Sequence, residues 1–133
     1  MSTKTLYIII FTIFASTSVA QNRMLKKFPE GYTPEEVGIK VANRFLSGKH
    51  MLHGGKWIHY AEVCTWYGAV RFASESKNKE LSRQLQERFD YLCTAERDLL
   101  PIKNHVDLNM FGCLPLELYL ITKKMQYLDL GIS

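Results

Sequence analysis

Two short stretches of this 133-residue chain gather side chains that could hold a sugar acid. Trp57, His59 and Tyr60 stand in the first, and Asn104, His105, Asp107 and Asn109 in the second, with Tyr60 and Asp107 separated by 47 residues. Rings stack on a sugar face, amides bond hydroxyls, and helix N-termini favour a carboxylate ligand. If the apolar segments that follow are parallel helices, both clusters fall on one rim.

Each of these residues also has a plainer role open to it. Asp107 suits the N-cap of its helix. Tyr60 can be a core tyrosine with a satisfied hydroxyl, and His59 and His105 can be structural. His50 and His53 sit in a Gly-rich loop and read as solvated, while Trp66 and Tyr67 lie mid-helix and read as core. Glu62, one turn into an apolar helix, needs a partner, for which His59 or Arg71 is the candidate. No pair of ligand types has helical i, i+4 spacing on one face except by accident, and His50 with His53 is a weak metal signal, so no metal or cofactor is expected.

The elements that must position these residues alternate in character. Thr33-Pro34-Glu35-Glu36 reads as a helix start, with Thr33 as cap and Pro34 in the first turn. Val37, Val41 and Phe45 recur on one face of an amphipathic helix that ends by Ser47-Gly48. Trp57 to Ala73 leaves few polar positions and reads as a helix buried nearly all round. Ser74 to Asn78 breaks it. Lys79 to Leu92 returns to the amphipathic type, with Leu81, Leu85, Phe89 and Leu92 as its stripe. Pro101 marks a connection. Val106 to Ile121 is again almost continuously apolar, with a kink expected at Pro115, and a last helix begins near Gln126. No stretch sustains the alternation of a strand.

The order is outer, inner, outer, inner, outer. Leu81 and Leu128 are 47 residues apart, and the turns Ser76-Lys77-Asn78 and Lys123-Lys124-Met125 align on that offset. A fixed period of this size indicates stacked helical hairpins. Only about two such units are present, where roughly three are usually needed to bury a continuous core, so the sequence reads as a fragment with exposed apolar flanks and marginal folding.

Residues 1–20 read as a secretory signal peptide: Lys4, an apolar run from Leu6 to Ala15, then small residues to a cleavage point after Ala20. The run is too short to span about 30 Å of hydrocarbon. Residues 21–32 form a linker and 33–133 the folded region, periplasmic or secreted. Removing Lys4 leaves 16 of the 17 basic residues against 13 acidic, a scattered net charge of +3. There is no basic run to suggest nucleic acid, and no membrane contact is expected beyond the signal. Cys64, Cys93 and Cys113 form no Cys-x-x-Cys pair and read as buried thiols, with one disulfide compatible but not assignable from spacing.

The stretches Trp57-Ile-His-Tyr-Ala-Glu-Val-Cys-Thr-Trp-Tyr-Gly-Ala, Pro101-Ile-Lys-Asn-His-Val-Asp-Leu-Asn-Met-Phe-Gly-Cys-Leu-Pro-Leu-Glu and Gln126-Tyr-Leu-Asp-Leu-Gly resemble glycoside hydrolase families 88 and 105, the unsaturated glucuronyl and rhamnogalacturonyl hydrolases. The resemblance runs from about Thr33 to Ser133. It implies an all-α, (α/α)6 toroid of alternating inner and outer helices, here incomplete. It also implies a substrate of unsaturated uronate-containing oligosaccharides left by pectin or glycosaminoglycan lyases. In such enzymes an aspartic acid protonates C4 of the enol ether, water adds at C5, and the hemiketal opens to free the leaving sugar. Asp107 looks like the second family aspartate, facing the unsaturated ring, and Tyr60 like a substrate-contacting tyrosine. Trp57, His59, Asn104, His105 and Asn109 complete the expected site. The principal acid/base of the family lies on a later helix, so this chain is expected to be inactive. The family's Thr-Gly-Asp hairpin turns are replaced here by Ser-Lys-Asn and Thr-Lys-Lys. The rival reading is a non-catalytic exported helical-repeat module that binds a peptide or glycan.

Overall fold

A computed structural model describes residues 27–102 and 109–133. The expected signal peptide (1–20), residues 21–26 of the expected linker, and Asn104, His105 and Asp107 lie outside the described residues. Before Glu35 the described backbone is a turn in which the Tyr32 N–H donates to the Pro29 carbonyl at 3.1 Å. Glu35–Ser133 forms a separate helical unit.

Helix α1 runs Pro34–Leu46, with proline at the first position, where its missing N–H has no helical partner to lose. Strands β1 (Leu52–His53) and β2 (Trp57–Ile58) follow. They pair antiparallel, Leu52 opposite Ile58 and His53 opposite Trp57. Gly54 and Gly55 take φ of 58° and 72° in the turn between them. Two-residue strands are too short to leave an alternating pattern, and the Gly-rich loop is therefore a minimal hairpin. Trp57 belongs to it, not to the helix. Helix α2 is Tyr60–Glu75, capped by His59, and α3 is Lys79–Thr94, capped by Asn78. After 3-10 turns at Arg97–Leu99 and Met110–Gly112 come α4 (Cys113–Thr122) and α5 (Met125–Ile132).

The described residues are mostly helical, with α2 and α3 forming one hairpin and α4 and α5 another, and α2 packing on α4. The α3 stripe is buried as its spacing requires: Leu81, Leu85, Phe89 and Leu92. Phe89 is the hub. Its ring meets Trp66 (5.7 Å, edge-on), Phe111 (5.8 Å, stacked) and Tyr127 (5.8 Å, edge-on). Each such large apolar side chain contributes about 1.5–3 kcal/mol on burial. The indole N–H of Trp66 donates to the Leu85 carbonyl at 3.2 Å, and the Tyr127 hydroxyl donates to Asp90 at 2.6 Å. Burial, reinforced by that bond to a carboxylate, raises the Tyr127 hydroxyl pKa. At the α1–α2 contact Gly38 admits the Phe72 ring so closely that a Cβ would lie 2.3 Å from it.

Four expectations are corrected here. Helix α2 is not buried all round: Val63, Trp66, Val70 and Ala73 face the core, while Cys64 and Tyr67 are exposed. The near-absence of polar residues disguised an ordinary one-sided stripe. Cys113 is exposed and Cys93 half-buried, so none of the three thiols is fully buried. Pro115 makes no mid-helix kink, because the chain changes to 3-10 geometry at Met110–Gly112 and restarts at Cys113. That places the proline in the first turn, where it breaks no α-helical hydrogen bond. The hairpin turns, finally, repeat at 46 residues rather than 47. Lys77 (φ 56°) and Lys123 (φ 60°) are both left-handed, and Tyr127, 46 residues after Leu81, is the buried equivalent, with Leu128 only half-buried. Among the described residues no helix is long and apolar enough to cross a membrane.

Candidate functional site

The structure brings Trp57, His59 and Tyr60 together at the start of α2. His59 Nδ1 accepts from the Ala61 N–H at 3.1 Å, so the imidazole is the helix cap and its neutral form carries the proton on Nε2. Its ring lies 4.5 Å from Tyr60 and 5.7 Å from His53. Tyr60 is exposed rather than a core tyrosine, and Trp57 is half-buried with the Lys56 ammonium 5.9 Å from its ring. An aromatic, half-open surface with a nearby cation is suited to the face and carboxylate of a sugar acid. Asn109 is also exposed, but it borders a different hollow, with Pro101, Phe111 and Ile132. Asn104, His105 and Asp107 fall outside the described residues.

What holds the rim in place is a buried ionic cluster that the loop's composition concealed. His50 is not solvated. Its Nδ1 lies 2.5 Å from Glu62 Oε1 and its Nε2 3.0 Å from Glu96 Oε2. Each ring nitrogen of His50 thus faces a carboxylate, one on α2 and one just beyond the end of α3. Arg88 supplies a cation, with Nη2 at 3.4 Å from the same Glu62 oxygen. Its Nη1 donates to the Leu46 and Gly48 carbonyls, each at 3.1 Å, closing the end of α1. The guanidinium lies 4.8 Å from the Phe45 ring and 5.5 Å from the Trp66 ring, against the tilted pair those two rings form. Its Nε is buried without a hydrogen-bond partner. Arg88 Nη2 also lies 3.3 Å from His50 Nδ1, so both side chains converge on the Glu62 carboxylate.

Glu62, whose partner was expected to be His59 or Arg71, thus pairs with His50 and Arg88. It also accepts from the Met51 N–H. The Met51 carbonyl in turn accepts from the His59 N–H at 2.9 Å. One buried carboxylate therefore fixes the loop whose other edge presents His59. The sequence signal for this was Glu62 itself, an acid in an apolar helix.

Arg71 pairs instead with Glu117 of α4 at 3.4 Å, 46 residues on, and with Glu75 at 3.3 Å. That 46-residue contact between equivalent repeats fits neighbouring parallel helices. Between α2 and α4 runs an open groove of about 360 Å³, lined by Val63, Cys64, Tyr67, Met110, Cys113, Leu116, Glu117 and Leu120. Among the described residues no group of three His, Cys, Asp or Glu side chains could hold a metal ion.

Compared with protein-family models, with curated proteins and with solved structures, the chain matches none.

Proposed function

We propose that this chain is the N-terminal, substrate-facing part of an exported (α/α)6 toroid of the unsaturated uronyl hydrolase type. In this reading Trp57, His59 and Tyr60, with Asp107, Asn104 and His105 from the sequence before α4, bind the terminal unsaturated uronate.

One observation carries the reading. The turns Ser76-Lys77-Asn78 and Thr122-Lys123-Lys124 stand where the resembled family has Thr-Gly-Asp, and the middle residue of each is left-handed. Glycine is the residue that takes this conformation without strain, costing other residues roughly 1–2 kcal/mol. A backbone that keeps the glycine conformation after the glycine has gone supports descent from that hairpin. The α2–α4 contact at the repeat distance supports it further.

Tryptophan fluorescence tests the binding. Trp66 is fully buried and Trp57 half-buried, so an unsaturated uronyl disaccharide on the rim quenches or shifts the Trp57 contribution. A saturable change that is lost in Trp57→Phe supports the reading. An emission spectrum unmoved at millimolar disaccharide overturns it.

A further inference from the structure

Cys64 of α2 and Cys113 at the start of α4 are free and exposed, and both line the groove between these two packed helices. Cys93 is set apart on α3, where it borders a different hollow with Phe89, Asp90 and Tyr127. Burial, with the Asp90 carboxylate nearby, pushes its thiol up to about 11. The thiolate is the attacking form in exchange chemistry, so Cys93 is the reluctant member of the three. Two sulfurs share one open surface, and the third is both remote from it and held protonated.

We propose that Cys64 and Cys113 form a disulfide across the α2–α4 groove, tying the two helical hairpins together when the chain meets an oxidising thiol pool. The oxidant is a low-molecular-weight disulfide. One cysteine thiolate attacks it, forming a mixed disulfide and expelling one small thiol. The second cysteine thiolate then attacks the protein sulfur of that mixed disulfide and expels the other. Two S–H bonds become one S–S bond, and the oxidant is reduced to two thiols. The bridge joins positions 49 residues apart, a loop long enough for the cross-link to restrict the unfolded chain substantially. It also spans the face on which Tyr67 and Leu120 are exposed.

The test uses the full chain, incubated with oxidised glutathione, alkylated, digested and mapped by mass spectrometry. The expected product is an intramolecular Cys64–Cys113 peptide pair lighter by two hydrogens, with Cys93 recovered as the alkylated thiol. Cys93→Ser leaves that product unchanged, whereas Cys64→Ser and Cys113→Ser each abolish it. The oxidised chain melts higher than the reduced one by about 10 °C, a shift reversed by dithiothreitol. A disulfide requires the two Cα atoms within about 7 Å, and the experiment imposes that demand directly. Glutathione adducts on both cysteines without a bridge, dimers linked between chains, or a bridge to Cys93 would each overturn the proposal.

Discussion

Glu62→Ala is the substitution that most directly separates a working ionic cluster from an incidental one. Glu62 is 4% exposed and is the shared partner of His50 (2.5 Å), Arg88 (3.4 Å) and the Met51 N–H. Removing its carboxylate leaves the half-buried Arg88 guanidinium without its carboxylate partner, and His50 with only the partly exposed Glu96. Breaking one side of a buried ion pair costs about 3–5 kcal/mol, because the remaining charge stays buried and unpaired. That is a large share of the roughly 5–15 kcal/mol available to a domain. In thermal terms the midpoint drops by about 10–20 °C for a chain of this length. Glu62→Gln keeps an acceptor for Met51 but loses the charge, and falls between, at about 2 kcal/mol. The assay is urea unfolding followed by circular dichroism, with parallel slopes required before midpoints are compared. In the double variant Glu62→Gln/His50→Gln the losses are less than additive, because the two side chains form one network. A Glu62→Ala chain within about 0.5 kcal/mol of the parent would refute the reasoning, since surface substitutions fall in that range.

Two further substitutions test the packing and the turns. Gly38→Ala gains up to about 1 kcal/mol of helix propensity but drives a Cβ to within 2.3 Å of the Phe72 ring, so overpacking of about 1–3 kcal/mol wins and the melting midpoint falls. Phe72→Leu in the same background recovers part of the loss, and a Gly38→Ala chain more stable than the parent would contradict this packing. Lys77→Gly and Lys123→Gly act in the opposite sense. Each relieves a left-handed lysine and, after the added freedom of the unfolded chain is subtracted, stabilises by about 0.5–1 kcal/mol, read as a higher midpoint in thermal unfolding.

The sequence made the helical hairpins legible because their information is local. The stripe Leu81, Leu85, Phe89, Leu92 has the period of a helix face, and all four side chains are buried. The Ser74–Asn78 break, the pairing of α2 with α4, and the grouping of Trp57, His59 and Tyr60 followed from the same reading. What escaped it depends on distant partners or on cover. His50 in a Gly-rich loop gives no sign that Glu62 and Glu96 flank it, and Arg88 looks like one more polar residue on the solvent side of its helix. Cys64, Tyr67 and Cys113 belong to apolar segments, yet they stand exposed on the open face, because apolarity states a preference for burial without supplying a neighbour. Pro115 signals a break without saying where the helix restarts. The offset of 46 rather than 47 became visible only through two positive φ angles.

The proposed function is that the rim at the start of α2 binds an unsaturated uronate. Backbone-amide NMR on the full chain, titrated with an unsaturated uronyl disaccharide, tests that claim most directly. The predicted result is a saturable set of shifts centred on Trp57, His59 and Tyr60, weakened in Tyr60→Phe. Shifts that avoid those three residues, or no shifts at millimolar sugar, would contradict it.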